Sequence, residues 1–465
     1  MRISSSSEDS KRLVRESRLS ESRAPRMVRS RFSEPIVTDS LIPTFGVFCL
    51  LIFCFVIFSH KLPLSEAAVI GAIIAVFQRQ TVLKLPVFFS SYLFYLVMGF
   101  IGLVSTAHPT LVFAELENVA KFSVVGVTAF SILTTKRDCR TFACGYLALF
   151  ALYPVRGALY NYVTGITDNG RIAWNFIFNN PNDLAMTCFL PLGLCGYLFF
   201  TEKGVIKIAA TIGLVVLMGV QMLTQSRGAM IGLLFAILFF VANTKKRMRT
   251  LAVVSCLGFV AIAATPTAVW VRMAGLTKAS VSDMSQVDPE GSASGRWAVM
   301  GIGLRIAAAH PLTGVGMGTY PIAHAKATAR DPSLRADETG FRDAHSMYIR
   351  AAAETGFLGL LGVVGCVVGS ILYCNRGRLL LLKSNSDAHA FAVLALQASM
   401  IAFTLGAIFN SVERSTYFMW QYVVPWALTR FLLITEIQSN LPSGKSRKIA
   451  SARSERHVLV PGARG

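Results

Sequence analysis

The sequence predicts an all-α integral membrane protein, with about 12 transmembrane helices and one large periplasmic loop containing short helices. Three observations carry this expectation. Of 465 residues, 53% are hydrophobic and only 15% charged, and the mean hydropathy is +0.54; a soluble domain of this length needs far more polar surface. Between Leu41 and Ile434, apolar runs follow one another with short polar breaks, except for one polar stretch from Val271 to Arg350. The net charge of +20 sits in the tails and in those breaks. It forms no basic face interleaved with aromatics, so the partner it implies is a lipid bilayer and not nucleic acid.

Residues 1–40 form a Ser- and Arg-rich tail with nine basic and six acidic residues. No apolar signal-peptide core precedes Leu41, and the acidic content is unlike a transit peptide, so the tail reads as disordered and cytoplasmic. Residues 41–270 carry transmembrane helices 1–9, with apolar runs at 41–59, 64–77, 85–104, 116–134, 139–156, 182–200, 204–223, 228–242 and 251–270. A bilayer needs roughly 20 residues, so runs 64–77 and 228–242 extend into their flanks. Residues 271–350 are the large loop. Residues 351–434 carry helices 10–12, at 351–373, 389–409 and 417–434, and residues 435–465 are a basic tail. There is no internal repeat, nor the matched broken helices of an inverted-repeat transporter.

The charges orient these runs. With a cytoplasmic N-terminus and strict alternation, the inner breaks 78–84, 135–140, 201–207, 243–250 and 374–388 carry fourteen basic residues. The short outer breaks carry five: Lys61, Arg156, Arg171, Arg227 and Arg414. The positive-inside rule therefore puts both termini in the cytoplasm and the loop outside. All nine cysteines lie in or at the ends of apolar runs, which reads as buried thiols and not as a disulfide framework.

The polar features outside the runs carry the chemistry. Arg227, in T-Q-S-R-G-A-M, stands in an outer break only a few residues long. The plain structural reading is a snorkelling interface arginine; the functional one is a guanidinium fork offered to a lipid phosphate. Arg296 follows Ser294-Gly295 at the start of a helix expected over Gly295 to Ala309, with Ser294 as N-cap, so it lies in the first turn where free N–H groups also attract anions. Arg305 is nine residues on, near the opposite face, so Arg296 is the candidate. The G-V-G-M-G run at Gly314 to Gly318 lacks the strand and helix of a nucleotide loop and reads as a tight turn after His310-Pro311.

His345, in D-A-H-S-M-Y, is the candidate base, since its pKa suits proton transfer near neutrality. Tyr348, three residues on, is expected to share its helical face, with Ser346, Asp343 and Glu354 as possible supporting groups. Of the other histidines, His310 is expected to cap the helix before it, and His324 lies in an Ala-rich stretch with no partner in view. Asp337, Glu338 and Asp343 are alternative bases. No metal-ligand spacing or P-loop occurs, so neither a metal nor a cofactor is expected. Two arginines and a histidine on the outer face suit a lipid-linked diphosphate donor: the arginines stabilise the leaving diphosphate and the histidine deprotonates an acceptor hydroxyl.

S-R-G-A at Ser226 to Ala229, G-R-W at Gly295 to Trp297, H-P-L-T-G-V-G-M-G-T-Y at His310 to Tyr320 and D-A-H-S-M-Y-I-R-A-A-A-E-T-G-F-L-G at Asp343 to Gly359 resemble the O-antigen ligase and polymerase superfamily. The likeness is strongest from about Met222 to Leu361. It implies a metal-independent glycosyltransferase of the bacterial inner membrane that moves a glycan from undecaprenyl diphosphate to an acceptor in the periplasm. It also implies diphosphate-binding roles for Arg227 and Arg296 and a catalytic role for His345. Ser346 stands where that family more often has Asn. A ligase transfers to a lipid A-core sugar; a polymerase of O-antigen, capsule or exopolysaccharide transfers to a second lipid-linked repeat, and the ligase reading is slightly favoured. A lipid or solute transporter is the competing class. It predicts charges lining the spans, whereas Glu117, Lys121 and Arg430 are the main ones in the runs.

Overall fold

The computed structural model describes residues 44–59, 64–78, 87–104, 106–168, 170–175, 178–244, 247–248, 251, 292–329, 331, 333–334 and 338–439. The N-terminal tail, Lys61, the ninth run beyond Leu251, the loop up to 291, Asp337 and the tail from 440 lie outside these residues.

The described chain is helical. In order run α1 (Phe45–Ser59), α2 (Ser65–Gln78), α3 (Val87–Ile101), α4 (Pro109–Ile132), α5 (Lys136–Phe150) and α6 (Arg156–Val163), then α7 (Pro181–Thr187), α8 (Phe189–Thr201), α9 (Gly204–Leu223) and α10 (Arg227–Ala242). The loop contributes α11 (Ser292–Ala309) and α12 (Tyr320–Thr328), and α13 (Met347–Lys383), α14 (Asp387–Gly406) and α15 (Thr416–Ser439) complete the bundle. Boundaries follow local chemistry. Pro109 opens α4, where a missing N–H costs nothing. The Thr135 hydroxyl accepts from Asp138 N to cap α5. Pro154 sits in a π-type turn, Ala151–Val155, that joins α5 to α6.

The core is one large apolar cluster. In it α13 packs on α3, α14 and α15, while α14 also packs on α8 and α10. Small residues let backbones approach: a Cβ on Gly232 would stand 2.3 Å from Ala402 O, and one on Gly362 would stand 2.9 Å from Tyr95 N. Other faces point outward and are apolar. Along α9, Val205, Ile208, Ile212 and Val215 are all exposed at helical spacing, a stripe that suits lipid. The chain is thus a membrane protein whose described residues form helices and no strand. Among the described residues, five helical segments are long and apolar enough to cross a bilayer: Lys136–Val163, Pro181–Thr201, Gly204–Leu223, Met347–Lys383 and Asp387–Phe409. Length and composition alone therefore do not reach the expected count of about twelve.

Several expected details change. The run at 351–373 is part of a longer helix that starts at Met347 and breaks at Gly356, whose φ is 72°. The run at 139–156 continues to Val163, so Arg156 is a helical residue. The charges inside the helices are more numerous than the sequence reading allowed. Lys121 and Glu117 pair on an exposed face at 2.7 Å, and Arg430 is buried, donating to Phe130 O and lying 3.8 Å over the Phe130 ring. Asp183 in α7 and Glu115 in α4 were not singled out from the sequence.

Candidate functional site

The D-A-H-S-M segment folds as a turn held from both sides. Asp343 Oδ2 accepts the His345 amide at 3.2 Å, an Asx-type turn, and His345 itself takes φ 50°. Left-handed backbone on a non-glycine residue is held only where the surroundings impose it. Ser346 is extended and buried and precedes the helix, and the Met347 amide, an orphan donor of the first turn, donates to Asn410 O at 3.0 Å. Arg350, one helical turn on, donates to Asp343 Oδ1 at 3.1 Å and to Glu413 Oε1.

Glu413 opens a buried ion network. Its Oε1 also lies 3.6 Å from Arg414 Nε, and Arg414 Nη1 reaches Glu354 Oε2 at 3.4 Å and Glu115 Oε2 at 3.3 Å. Glu354 and Glu413 are fully buried. Charges so placed persist only when paired. Glu354 is tied to the glycine loop twice: its Oε1 accepts Tyr320 N at 3.2 Å, and its carbonyl accepts Gly316 N at 3.0 Å. That carbonyl is released by the break at Gly356, as is Ala353 O, which accepts Val315 N at 2.9 Å. The glycines are needed for this contact. Gly314 has φ 65°, and a Cβ there would lie 2.2 Å from the carbonyl carbon of Glu354. The H-P-L-T-G-V-G-M-G-T-Y motif is thus a wrap around the broken start of α13. A second apolar cluster, including Ile302, Ile306, Tyr320 and Ala352, packs α11 and α12 on the same turns.

The electrostatics around His345 are mixed. Burial lowers its pKa below the ordinary 6.5; Asp343 opposes this, while Arg296, Arg350 and Arg342 reinforce it. This favours the neutral imidazole, the form that accepts a proton. Burial pushes the Asp343 carboxyl up, but the Arg350 guanidinium, with hydrogen bonds from Ser411 and the His345 amide, prevails and holds it below the usual carboxylate range.

The T-Q-S-R turn is built from a different part of the chain. Gln225 has φ 51° and donates from Nε2 to Gly170 O at 3.1 Å. Arg171, counted from sequence as a loop charge, is buried: its Nε donates to Thr224 O at 2.9 Å and its Nη2 to Asn182 Oδ1 at 2.8 Å. Ile172 N donates to Leu223 O. Arg227 is then the first residue of α10 and is partly buried. The next residue, Gly228, packs on Phe409: a Cβ on it would stand 2.9 Å from Phe409 Cβ. Asn410, which follows Phe409, carries the carbonyl that binds Met347. The start of α10 and the His345 turn therefore meet on one short segment, 409–410.

The candidate residues fare differently. His345, Asp343 and Arg296 are electrostatic neighbours; on the side of α10, it is Gly228, next to Arg227, that packs on Phe409 beside Asn410. Arg296 is partly buried, whereas Arg305 is exposed. Helix α11 begins by Ser292, so Arg296 lies beyond its first turn and Ser294 is inside the helix, not its N-cap. Tyr348 does not share a helical face with His345, because the helix starts after the histidine; its hydroxyl donates to Thr404 O at 3.1 Å within the bundle. His324 is not without a partner: it is fully buried, with Nδ1 2.8 Å from Gly340 O. The His310 side chain is exposed, and its carbonyl accepts from Gly314 N. Two apolar cavities, of about 300 Å³ between α8, α9, α10 and α14 and about 440 Å³ between α5, α8 and α9, are lined by none of Arg227, Arg296 or His345.

Arg350, Glu413, Arg414 and Asp183 are the charged residues here that motif reading passed over. The readable signal was, for Arg350, its place inside the D-A-H-S-M-Y-I-R motif and, for the others, their position in short polar breaks: Asn180-Pro181 is a helix start, and Glu413-Arg414 an ionic pair between two apolar runs. No curated protein matches the chain. Residues 212–364 match the family model described as O-Antigen ligase, a span that holds the T-Q-S-R turn, the glycine loop and the His345 turn. This match supports the O-antigen ligase and polymerase superfamily as the family of this membrane protein.

Proposed function

We propose that the protein is a glycosyltransferase of the bacterial inner membrane that moves a glycan from undecaprenyl diphosphate to an acceptor hydroxyl on the periplasmic side. The observation that carries the reading is the His345 turn: a left-handed histidine fixed by Asp343 and Arg350, with Arg296 as electrostatic neighbour. His345 takes the proton of the acceptor hydroxyl as its oxygen attacks the anomeric carbon. The bond from that carbon to the diphosphate oxygen breaks, and the electron pair leaves on the diphosphate. Arg227 and Arg296 bind the diphosphate and stabilise the charge that develops on it. The proton on His345 then passes to solvent. Two arginines supply the positive charge that a metal ion provides elsewhere, so the reaction is proposed to be metal-independent.

The domain plan follows this reading: twelve crossings, both tails cytoplasmic, and residues 271–350 outside. The basic residues of the breaks support it. Of the two acceptors, a lipid A-core sugar makes the enzyme a ligase, and this is the preferred reading. A second lipid-linked repeat makes it a polymerase. A deletion strain tests the choice. Accumulated lipid-linked polymer with unsubstituted lipopolysaccharide marks a ligase; attachment of single repeats, or loss of exopolysaccharide, marks a polymerase. An unchanged surface glycan and lipid-linked pool in that strain would contradict both.

A further inference from the structure

The N-P-N-D segment, Asn180 to Asp183, ties the two halves of the proposed site together. Asn180 caps α7 by accepting Asn182 N at 2.8 Å. Asn182 is held by Arg171, which fixes the turn before Arg227. Asp183 faces the other way: its Oδ1 accepts Asn410 Nδ2 at 3.0 Å and lies 3.5 Å from the Tyr417 hydroxyl. Asn410 is also the residue whose carbonyl receives Met347. Asp343 and Arg350 are the charged neighbours of Asp183. Both bonds to Asp183 fall on one oxygen, and the residue is partly exposed. A carboxylate is thus clamped in orientation by Oδ1, while Oδ2 takes no hydrogen bond from the described residues.

From this geometry we infer that Asp183 is a binding residue for the acceptor sugar, with Oδ2 receiving a hydrogen bond from one of its hydroxyls. This rests on the glycosyl-transfer reading above. Hydrogen-bonding chemistry selects the ligand. Arg296, Arg350 and Arg342 are the cationic neighbours of His345, and Asp343, the anionic one, is already paired with Arg350 at 3.1 Å. The open Oδ2 of Asp183 suits a neutral polyol and not a phosphate, since a carboxylate only accepts hydrogen bonds and a sugar hydroxyl can donate one. The acceptor hydroxyl must also lie within reach of His345, and Asp183 reaches that turn through Asn410.

The test uses the full-length protein in proteoliposomes. The donor is the lipid-linked glycan isolated from a deletion strain, and the acceptor is either lipopolysaccharide lacking O-chains or a second lipid-linked repeat. Asp183→Asn keeps the shape and the Asn410 contact but removes the charge. It is expected to raise the acceptor KM about tenfold or more, as loss of a hydrogen bond to a charged group does, with the donor KM changed less than about twofold. Asn182→Ala, which breaks only the Arg171 contact, serves as the comparison for a purely structural role and is expected not to raise the acceptor KM selectively. An unchanged acceptor KM in Asp183→Asn overturns the inference. So does an equal loss for donor and acceptor accompanied by a lowered unfolding temperature. If the wild-type protein transfers nothing to either acceptor, the glycosyl-transfer reading itself fails; if it transfers, and His345→Ala does not, failure of the Asp183 prediction is separate from that reading.

Discussion

At the residue scale, the account turns on opposed charges around one imidazole. Burial, Arg296, Arg350 and Arg342 lower the pKa of His345, and Asp343 raises it. A base works only when unprotonated, so transfer should rise with pH through a value below 6.5 and then level off. The two neighbours then give opposite signs. Asp343→Asn removes the group that favours the imidazolium, so the acidic limb of the pH–rate profile moves to lower pH. Arg296→Ala removes a group that disfavours it, so the limb moves to higher pH, and the plateau rate falls about 10²- to 10³-fold through loss of a diphosphate contact. Limbs that do not move, or that move in the same direction, would contradict the arrangement. His345, Arg296 and Arg227 could be singled out in the sequence as candidates because each sits in a short polar motif. Tyr348 was misread because residue spacing assumes that the helix already runs through His345, whereas the Asx turn and the left-handed φ delay its start to Met347.

At the element scale, the broken start of α13 organises the site. Gly356 interrupts the helix and frees the carbonyls of Ala353 and Glu354, and the glycine loop supplies the amides that satisfy them. Gly314→Ala places a methyl group against that backbone at a positive φ and should destabilise the protein by more than about 1 kcal/mol, read as a lower unfolding temperature in detergent. Arg350→Ala takes from the buried Glu413 carboxylate its hydrogen-bonded partner and leaves it only Arg414 Nε, at 3.6 Å. It should cost about 3–5 kcal/mol, with the double variant Arg350→Ala/Glu413→Gln recovering part of the loss; equal stability of both variants would argue that the pair contributes nothing. The sequence showed the H-P and glycine punctuation and so a turn, but not what the turn encloses. That depends on a helix break forty residues downstream and on ion pairs that only the tertiary fold brings together. Arg171 and Arg414 illustrate the same limit: both counted as solvent-side charges in the breaks, yet Arg171 is buried and Arg414 is largely enclosed among its acidic partners.

At the scale of the whole molecule, composition alone was enough for the class, because apolar residues on both inner and outer faces leave lipid as the surrounding solvent. The number of crossings is harder to read: α1, α2, α3 and α10 are short for a bilayer, and only the charges of the breaks argue for their alternation. Reporter tags check that plan. A tag near Tyr320 should be periplasmic and one after Lys383 cytoplasmic; a cytoplasmic tag at Tyr320 would overturn both the orientation and the mechanism. The central claim, transfer from a lipid diphosphate by His345 without a metal, is tested most directly by purified protein in proteoliposomes with a lipid-linked donor, an acceptor and excess chelator. The account predicts that the wild-type protein transfers the glycan in chelator, and that His345→Ala is slower by about 10²- to 10⁴-fold while still binding the donor. Wild-type activity that vanishes with chelator and returns with a divalent ion, or a His345→Ala variant at full rate, would contradict it.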